Sequence, residues 1–357
     1  MTEPDLLVAG AVEELGPEWD SLFAAGPGLQ SSRAWFAASA AAALPPGAEP
    51  HLLAFADPEG PLALFPMLDC HDGNLQSLTT PYTCLYQPLL RPGAPADRVS
   101  AAMRAFASYC RRWPVIRLEA LDPDWSGLAA LRAGFASARL ATRDFHHFEN
   151  WRAAIDEGGW DAYLRTRPGA LRETIRRKTR AAERSAGLRI EVAQSGSALL
   201  RSLEAYEHVY ARSWKEPEPY PAFNQALVRA LADSGNLRMF ILWQADTPVA
   251  AQYWTVVEGA ATVLKLAHDE AAKSLSPGTV LTAYAIRHLV DTDRVFNLDF
   301  GRGADPYKRA WTGECSARIG LLGLDPLSPR GLGALARHDL GRFWRRVERW
   351  RPLSTAR

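Results

Sequence analysis

The sequence predicts an α/β protein built from two similar lobes, and three observations support this prediction. Strand-like and helix-like segments follow one another in the same order in both halves of the chain. The segments 61–65 and 248–252 are apolar and begin with proline, and each follows an acidic turn. Two further apolar segments, 115–119 and 295–299, each end in a carboxylate and are offset by 180 residues. Self-similarity of this kind indicates a duplicated unit.

Hydrophobic periodicity and turn residues predict the individual elements. In the first half we expect strands at 5–9, 51–56, 61–69, 115–121 and 139–148, and helices at 17–25, 31–44, 96–112 and 126–138. In the second half we expect strands at 188–193, 238–244, 248–257, 261–267, 295–299 and 317–324, and helices at 197–214, 221–233, 278–290 and 332–350. The predicted domains are a first lobe at 1–150, a second at 151–328, and a terminal basic helix at 329–357.

Charge is distributed unevenly along the 357 residues, although the net charge is only +1. Residues 1–150 hold 10 Arg and no Lys against 17 acidic residues, a net charge of −7, and the remainder carries +8. An anionic partner is therefore expected to meet the second half. The segment 165–185 has eight basic and two acidic residues, which fits either a solvated helix face or a clamp for phosphates. Within it, Arg176 and Lys178 are candidate substrate contacts.

Several classes of protein and site are excluded by what the sequence lacks. No stretch approaches the ~18–20 apolar residues of a membrane span, and no basic region like that of a secretion signal opens the chain, so we expect a cytoplasmic protein. The four cysteines, Cys70, Cys84, Cys110 and Cys315, lack metal-ligand spacing and are expected to be isolated, buried thiols. The sequence has no nucleophile elbow, phosphate loop or zinc-binding helix motif, and we expect no metal site.

The turn Ser276-Pro277-Gly278-Thr279 follows a predicted strand and opens a predicted helix. Ser276 is expected to cap the helix, Pro277 suits its first position, and Gly278 permits close approach of a ligand to the backbone. A helix N-terminus attracts anions, so these four residues are candidate ligands of a phosphate or pyrophosphate. The alternative is an ordinary capped helix.

Polar residues that can carry chemistry follow the strand 295–299. Asp299 is a candidate general base, or an orienter of one, or a structural cap for the glycine turn that contains Arg302. Lys308 can bind an oxyanion or a phosphate, and Tyr307 can donate a proton to a leaving group. Arg302 is a candidate substrate contact.

Three further residues of the second half are candidate substrate contacts. His268 follows a predicted strand and is either a base or an uninvolved loop histidine. Trp214 ends a predicted helix and either walls an acceptor cleft or closes the lobe interface. Gln252 lies on a strand on which alternate residues face the core, so only one side of that strand can line a cleft.

The predicted C-terminal helix carries an apolar stripe among seven arginines between Arg330 and Arg351. The stripe consists of Leu332, Ala336, Leu340, Phe343, Val347 and Trp350. We expect it to dock on the helix's own lobe and complete the core. The alternative is peripheral contact with an anionic membrane surface, which basic amphipathic helices can make.

The second half resembles GNAT-type acyltransferase domains of proteins similar to CelD-type acetyltransferases and Fem-type peptidoglycan aminoacyl transferases. The resemblance is carried by the strand, the Ser-Pro-Gly-Thr turn, the helix, the next strand and then Asp299-Phe-Gly-Arg-Gly with Tyr307-Lys308-x-x-Trp311-x-Gly313. It extends more faintly to residues 29–35 and 61–65. It implies two tandem GNAT-like lobes, each a mixed, mostly antiparallel sheet flanked by helices, of which the first is expected to be degenerate.

The resemblance implies N-acyl transfer, in which an amine attacks an acyl-CoA co-substrate directly. It places the CoA pyrophosphate at 276–279, Asp299 as base or orienter, Lys308 at the oxyanion or a phosphate, and Tyr307 as acid. An aminoacyl-tRNA donor is the alternative, with the basic segment 165–185 touching RNA. A third hypothesis is a non-catalytic binding module, whose biological role would survive Asp299→Ala and Lys308→Ala.

Overall fold

The computed structural model describes residues 3–184, 187–303 and 305–349. The chain forms two compact units. The first comprises the chain up to His147 together with residues from Arg318 onward, and the second comprises Phe148–Ala317. The predicted boundary at 150 is close to the first division. The predicted boundary at 328 differs from the second, because the chain returns to the first unit at Arg318.

The elements up to residue 154 follow the predicted order. They are β1 (Asp5–Ala9), α1 (Asp20–Ala24), α2 (Arg33–Ala42), β2 (Glu49–Asp57), β3 (Gly60–Asp69), β4 (Asn74–Ser77), β5 (Leu89–Leu90), α3 (Ala96–Cys110), β6 (Val115–Leu121), α4 (Leu128–Ser137) and β7 (Ala141–Ala154). Strand β4 was not predicted, because four residues are too few to show a periodic pattern.

The remaining elements include two short helices that were not predicted, α5 and α10. In chain order the elements are α5 (Gly159–Arg165), α6 (Gly169–Arg184), β8 (Leu188–Ala193), α7 (Gly196–Ala211), α8 (Pro221–Asp233), β9 (Leu237–Gln244), β10 (Thr247–Val257), β11 (Ala260–His268), α9 (Pro277–Asp291), β12 (Asn297–Arg302), α10 (Pro306–Trp311), β13 (Glu314–Leu324) and α11 (Pro329–Arg349). The predicted basic segment forms α6.

The sheet of the first unit has the order β1-β2-β3-β4-β6-β13, with β5 paired to β3. Strands β4 and β6 are parallel, and the other pairs are antiparallel. Phe65 on β3 stacks on Phe106 of α3 with ring centroids 3.9 Å apart, and Phe106 contacts Phe135 of α4. Aromatic packing therefore fixes the two helices to one face of this sheet.

The sheet of the second unit has the order β8-β9-β10-β11-β12-β7. Its β11 and β12 are parallel and its other pairs antiparallel. The strand that pairs with β12 is residues 150–154 of β7, and the strand that pairs with β6 in the first unit is residues 319–324 of β13. Strand β7, the last strand of the first half of the chain, thus completes the sheet of the second unit. Strand β13, the last strand of the second half, completes the sheet of the first unit. The predicted fold of two lobes with mixed, mostly antiparallel sheets is confirmed.

A tight turn fixes the register of the hairpin that carries much of the candidate site. Glu258 and Gly259 both have positive φ, 49° and 73°, as a two-residue hairpin turn with the right twist requires. With this turn, β10 and β11 pair so that Tyr253 lies opposite Lys265. Successive residues of β11 alternate between half-buried and buried, and Lys265 is on the buried side.

The four cysteines are free thiols, as predicted, but they are not all buried. Cys84 and Cys110 are buried, Cys70 is half-buried and Cys315 is exposed. The prediction is wrong for Cys315 because it lies in the exposed start of β13.

The apolar stripe of α11 does not complete the core in the part of the helix whose side chains are described. Leu332 and Leu340 are 57% and 58% exposed, and Ala336 is exposed. The helix instead turns residues 331, 334, 335 and 338 inward, and Asp339 pairs with Arg143 at 2.8 Å. The side chains of Phe343 and Val347, and all of Trp350, lie outside the described residues. Among the described helices, none combines the length and apolar character needed to cross a membrane.

A buried carboxylate in the first unit gives a testable pH dependence. Asp57 accepts two hydrogen bonds of 2.9 Å from Arg91 and one of 3.0 Å from Arg98. The Arg91 guanidinium lowers the pKa of Asp57 to about 2. The pKa of Asp57 is lower in the folded state than in the unfolded chain. The ion pairs therefore stabilise the fold fully above about pH 4, and this stabilisation is lost as the pH falls towards 2.

We therefore expect Asp57→Asn to have a lower free energy of unfolding than the wild type at pH 6. Between pH 4 and pH 2.5, the free energy of unfolding should fall less in Asp57→Asn than in the wild type. Urea denaturation followed by circular dichroism at the three pH values measures this. Asp124→Asn, at an exposed position of the same unit, is the control. Parallel pH profiles for Asp57→Asn and the wild type would show that the ion pair does not stabilise the fold.

Candidate functional site

Strands β11 and β12 pair only at their beginnings. The register joins Ala260–Thr262 to Asn297–Asp299 and stops there, while β11 continues to His268 and β12 to Arg302. Beyond these pairs the two parallel strands no longer share hydrogen bonds. In an open α/β sheet, a ligand binds where neighbouring strands part at their carboxyl ends.

Helix α9 begins at Pro277, close after the end of β11, but Ser276 does not cap it as predicted. Ser276 has left-handed backbone angles, φ 54° and ψ 50°, and its side chain makes no capping hydrogen bond. The reason is a short 3-10 helix, Glu270–Leu275, which ends at Ser276 and ties its N–H to the carbonyl of Lys273 at 3.0 Å. A capping serine needs extended backbone angles, which this turn does not allow.

Several predicted residues surround the start of α9. A Cβ atom at Gly278 would lie 3.3 Å from Nδ1 of His268. The His268 ring contacts Trp214, with centroids 4.5 Å apart, and burial lowers the pKa of His268 below its usual value. Lys178 of α6 donates a 2.5 Å hydrogen bond to the carbonyl of Ser274. The structure therefore brings Lys178, Trp214, His268 and Gly278 together around this helix N-terminus.

Asp299 is held by four hydrogen bonds from three partners. Asn150 Nδ2 lies 3.1 Å from each carboxylate oxygen, Arg152 Nε lies 3.1 Å from one of them, and the Gly301 N–H donates at 2.7 Å. The side chain is 14% exposed. A carboxylate has about four acceptor sites, and with four hydrogen bonds already made this one is suited to fix the turn after β12. Of the predicted roles, the geometry favours cap and orienter over base.

Lys308 lies in the first turn of α10 and is 5% exposed. Its ammonium donates to the carbonyl of Arg302 at 2.5 Å and lies 3.2 Å from Asp305 Oδ2. An ammonium has three N–H donors, so one remains for a ligand. Tyr307 is 37% exposed, and burial raises the pKa of its hydroxyl above the usual value, so the hydroxyl is protonated at neutral pH and can act as a donor.

A second buried ionic cluster lies near Lys308. Lys265 Nζ and Glu218 Oε1 are 2.6 Å apart, and their side chains are 9% and 12% exposed. Burial lowers the pKa of Lys265 to about 8. Burial also lowers the pKa of Lys215, whose ammonium is within electrostatic reach of Glu218, Asp305 and Lys308. Three of the five lysines of the chain thus converge here.

A cavity of about 480 Å³ adjoins this cluster. It lies between α7, α8 and β10, and Lys215 and Glu218 line one part of it. Its other walls are largely apolar and aromatic, with Leu203, Tyr206 and Tyr253. This volume and this mixture of apolar walls with a few charged groups are typical of small-ligand sites.

The remaining predicted contacts lie apart from this cluster or inside the protein. Gln252 is 1% exposed and donates to Thr282 Oγ1 at 2.6 Å, so it lies in the core beneath α9. Residues 248–255 of β10 are all buried, so both faces of this strand are covered. Arg176 is on the outer part of α6 and pairs with Glu173 at 2.7 Å. The Arg302 guanidinium lies over the Phe148 ring, 4.3 Å from its centroid, while its carbonyl holds Lys308.

Sequence reasoning missed the ion pair of Lys265 and Glu218. A signal existed for Lys265, because Ala261, Val263, Lys265 and Ala267 alternate on the buried face of β11. A lysine in register with apolar residues is unusual, since buried lysines are rare unless paired. No comparable signal marks Asn150 or Arg152, which reach Asp299 from 149 and 147 residues away.

The comparisons with known proteins agree with this geometry. A family model described as an acetyltransferase (GNAT) domain matches residues 169–309. The second unit carries a GNAT domain. The prediction of an acyltransferase domain of this type is therefore confirmed, and the strand parting, α9 and Lys308 all belong to the GNAT unit. No curated protein sequence matches the chain closely enough to count as a relative.

Solved structures extend the likeness to the whole chain. FemX has a TM-score of 0.59 at 10% identity, over 90% of this chain and 98% of its own. A tandem GNAT protein of the clavulanic acid biosynthesis pathway has a TM-score of 0.50 at 13% identity, over 91% and 100%. The C-terminal domain of an Agrobacterium fabrum protein assigned as a lysylphosphatidylglycerol synthetase scores 0.53 at 14%, over 80% and 87%. The chain thus has the tandem GNAT, Fem-like fold.

Proposed function

We propose that the GNAT unit transfers an acyl group to an amine by direct attack of that amine on the acyl donor. The observation that carries the proposal is the parting of β11 and β12 after Thr262 and Asp299. The N-terminus of α9 follows β11, and the buried Lys308 follows the turn after β12. The match to the GNAT family model supports it.

The proposed donor is an acyl-CoA whose pyrophosphate lies at residues 276–279. The first turn of α9 offers backbone N–H groups and the positive end of a helix dipole. The absence of a Cβ at Gly278 lets the donor approach between the backbone and His268. Lys178 holds the carbonyl of Ser274 and so fixes the loop that leads into this turn.

In the proposed reaction, the amine nitrogen forms a bond to the acyl carbon and the carbon–sulfur bond breaks. The remaining N–H of Lys308 stabilises the oxyanion of the tetrahedral intermediate. Lys265, whose pKa of about 8 leaves part of it neutral near that pH, accepts the proton that the attacking amine loses. Tyr307 protonates the leaving thiolate, and Asp299 keeps the turn before Lys308 in place.

The proposed acceptor site is the cavity beside Lys215 and Glu218. These side chains present one charge of each sign next to aromatic walls. An amine acceptor that carries an anionic group beside an apolar part suits this arrangement, because Lys215 offers the anionic group a partner of opposite charge.

An aminoacyl-tRNA donor is the second candidate. It is supported by the fold likeness to FemX and to the protein assigned as a lysylphosphatidylglycerol synthetase. In this case the arginines of α6 are the proposed RNA contacts. Cytoplasmic location and peripheral membrane contact through α11 stay predictions.

Thermal stability in the presence of acetyl-CoA, longer acyl-CoAs and free CoA tests the donor. A donor at 100 times its Kd stabilises the native state by about 2.7 kcal/mol, which we expect as a clear upward shift in Tm. In Gly278→Glu the shift should disappear, because a carboxylate would crowd the pyrophosphate and repel it.

Gly333→Glu is the matched control, because a Cβ atom at Gly333 has no neighbour within 4 Å and lies on α11. It should retain the full shift. No shift with any CoA species would favour the aminoacyl-tRNA donor, which filter binding with charged tRNA then examines. Failure of both donors would leave the non-catalytic binding module.

A further inference from the structure

The GNAT unit has a second cavity, on the part of α6 that faces away from the Ser274 loop. It has a volume of about 630 Å³ and lies between α6, α9 and the edge strands β8 and β9. We name it the α6 groove. None of the residues assigned to the acyl-CoA reaction lines it, although its lining includes α6 arginines that are the RNA contacts in the aminoacyl-tRNA alternative. It is therefore a separate feature of the unit.

The floor of the α6 groove is aliphatic. We define the floor by five aliphatic side chains of the lining: Leu188, Ile190, Leu242, Val280 and Ala283. The first two belong to the edge strand β8 and are only half-buried. Solvent-exposed aliphatic surface next to charged residues is typical of a binding groove for an apolar group.

Arginines form the rim. Arg172, Arg176 and Arg180 are spaced four residues apart, so they stand on one face of α6, and Arg189 and Arg287 add charge from β8 and α9. Glu183 is the acidic residue among the lining side chains. Like charges four residues apart repel one another on a helix, and a bound anion would relieve this repulsion.

Two of the rim arginines are available to such an anion. Arg176 pairs with Glu173, Arg189 with Glu191 and Arg287 with Asp291. Within the described part of the chain, the guanidinium groups of Arg172 and Arg180 make no hydrogen bond or ion pair. A guanidinium binds phosphate and carboxylate oxygens in a bidentate fashion.

We propose that the α6 groove binds an amphipathic anion, with an alkyl chain on the aliphatic floor and a phosphate group between Arg172 and Arg180. This site goes beyond the proposed acyl transfer and does not depend on it. The proposal rests on the combination of an aliphatic floor and a basic rim. Inorganic phosphate can contact only the rim, and an uncharged alkyl chain can contact only the floor.

Isothermal titration of the full chain with dodecyl phosphate, below its micelle concentration, tests the proposal. We expect it to bind at least tenfold more tightly than inorganic phosphate and at least tenfold more tightly than dodecanol. Octyl phosphate, with its shorter alkyl chain, should bind more weakly than dodecyl phosphate. Equal affinity for inorganic phosphate and dodecyl phosphate would overturn the proposal.

Variants at each part of the groove separate it from the rest of the surface. Arg172→Gln/Arg180→Gln should weaken dodecyl phosphate binding at least tenfold, and Ile190→Gln should remove the dependence on chain length. Arg201→Gln is the control, because Arg201 is 69% exposed, pairs with Glu191 and does not line the groove. Unchanged Tm values establish that the variants are folded, and wild-type affinity in the double variant would overturn the proposal.

Two sources can supply this chemistry, and vesicles distinguish them. Co-sedimentation with phosphatidic acid vesicles that is lost in Arg172→Gln/Arg180→Gln, with no binding to phosphatidylcholine vesicles, indicates a membrane lipid. Binding of soluble dodecyl phosphate alone indicates a free phosphate ester. Displacement of dodecyl phosphate by an oligoribonucleotide of any sequence, without dependence on Ile190, would overturn the proposal in favour of an RNA surface.

Discussion

Lys308→Met is expected to lower the turnover number by about 10²–10³-fold while leaving donor binding nearly intact. The ammonium of Lys308 is buried, and two of its donors are used by Arg302 and Asp305. Its third donor contributes most when negative charge develops on the acyl oxygen. Methionine keeps the length of the side chain but offers no donor, so the loss falls on the transition state.

Two measurements on the same variant separate this role from a structural one. The rate is followed as thiol release from the acyl-CoA that gives the largest Tm shift, with a panel of amines as acceptors. The donor-induced Tm shift reports binding. Lys273→Met is the matched control, because Lys273 is 74% exposed and pairs with Glu270 at 3.4 Å.

A purely structural Lys308 gives a different pattern. In that case Lys308→Met would release the Arg302 carbonyl, lower the Tm of the free protein and weaken donor binding together with the rate. A full rate in Lys308→Met with an unchanged Tm would contradict both roles. A reduced rate with an unchanged donor-induced shift is the result that the proposed oxyanion role requires.

The order of elements was predictable because local patterns carry it. The helix predicted at 221–233 is α8 to the residue, since Pro221 suits a first helical position and Phe223, Leu227, Val228 and Leu231 form one buried face. The strand exchange was not predictable. Residues 319–324 pair with β6 of the first unit, and nothing in their apolar sequence specifies which of the two sheets they join.

The candidate site was predicted only where local sequence patterns mark its residues. Lys308 and Asp299 stand out because they follow a buried strand directly. Ser276 was assigned the wrong local role, because a 3-10 helix that ends on it overrides its preference for capping. Asn150 and Arg152 reach Asp299 only through the pairing of β7 with β12, and such long-range pairs have no local signature.

Glu218→Gln is expected to destabilise the second unit by about 3 kcal/mol at pH 7, because it leaves the Lys265 ammonium buried without its charged partner. Lys265→Met should also destabilise the unit, since Glu218 then loses the ammonium that lies 2.6 Å from it. The double variant Lys265→Met/Glu218→Gln is expected to be more stable than either single variant, because it leaves no buried charge of the pair. Chemical denaturation of the four proteins gives the coupling energy directly.

The pH dependence of this cycle has a definite sign. The pKa of Lys265 is about 8 in the folded protein, below its usual value of 10.5, so the unfolded chain binds more protons between these values. The free energy of unfolding of the wild type should therefore rise with pH relative to Lys265→Met, by up to about 1.4 kcal/mol per pH unit between pH 8 and pH 10. A constant difference between the two proteins across this range would show that Lys265 titrates normally. It would then be fully protonated at neutral pH and unable to accept the proton of the attacking amine.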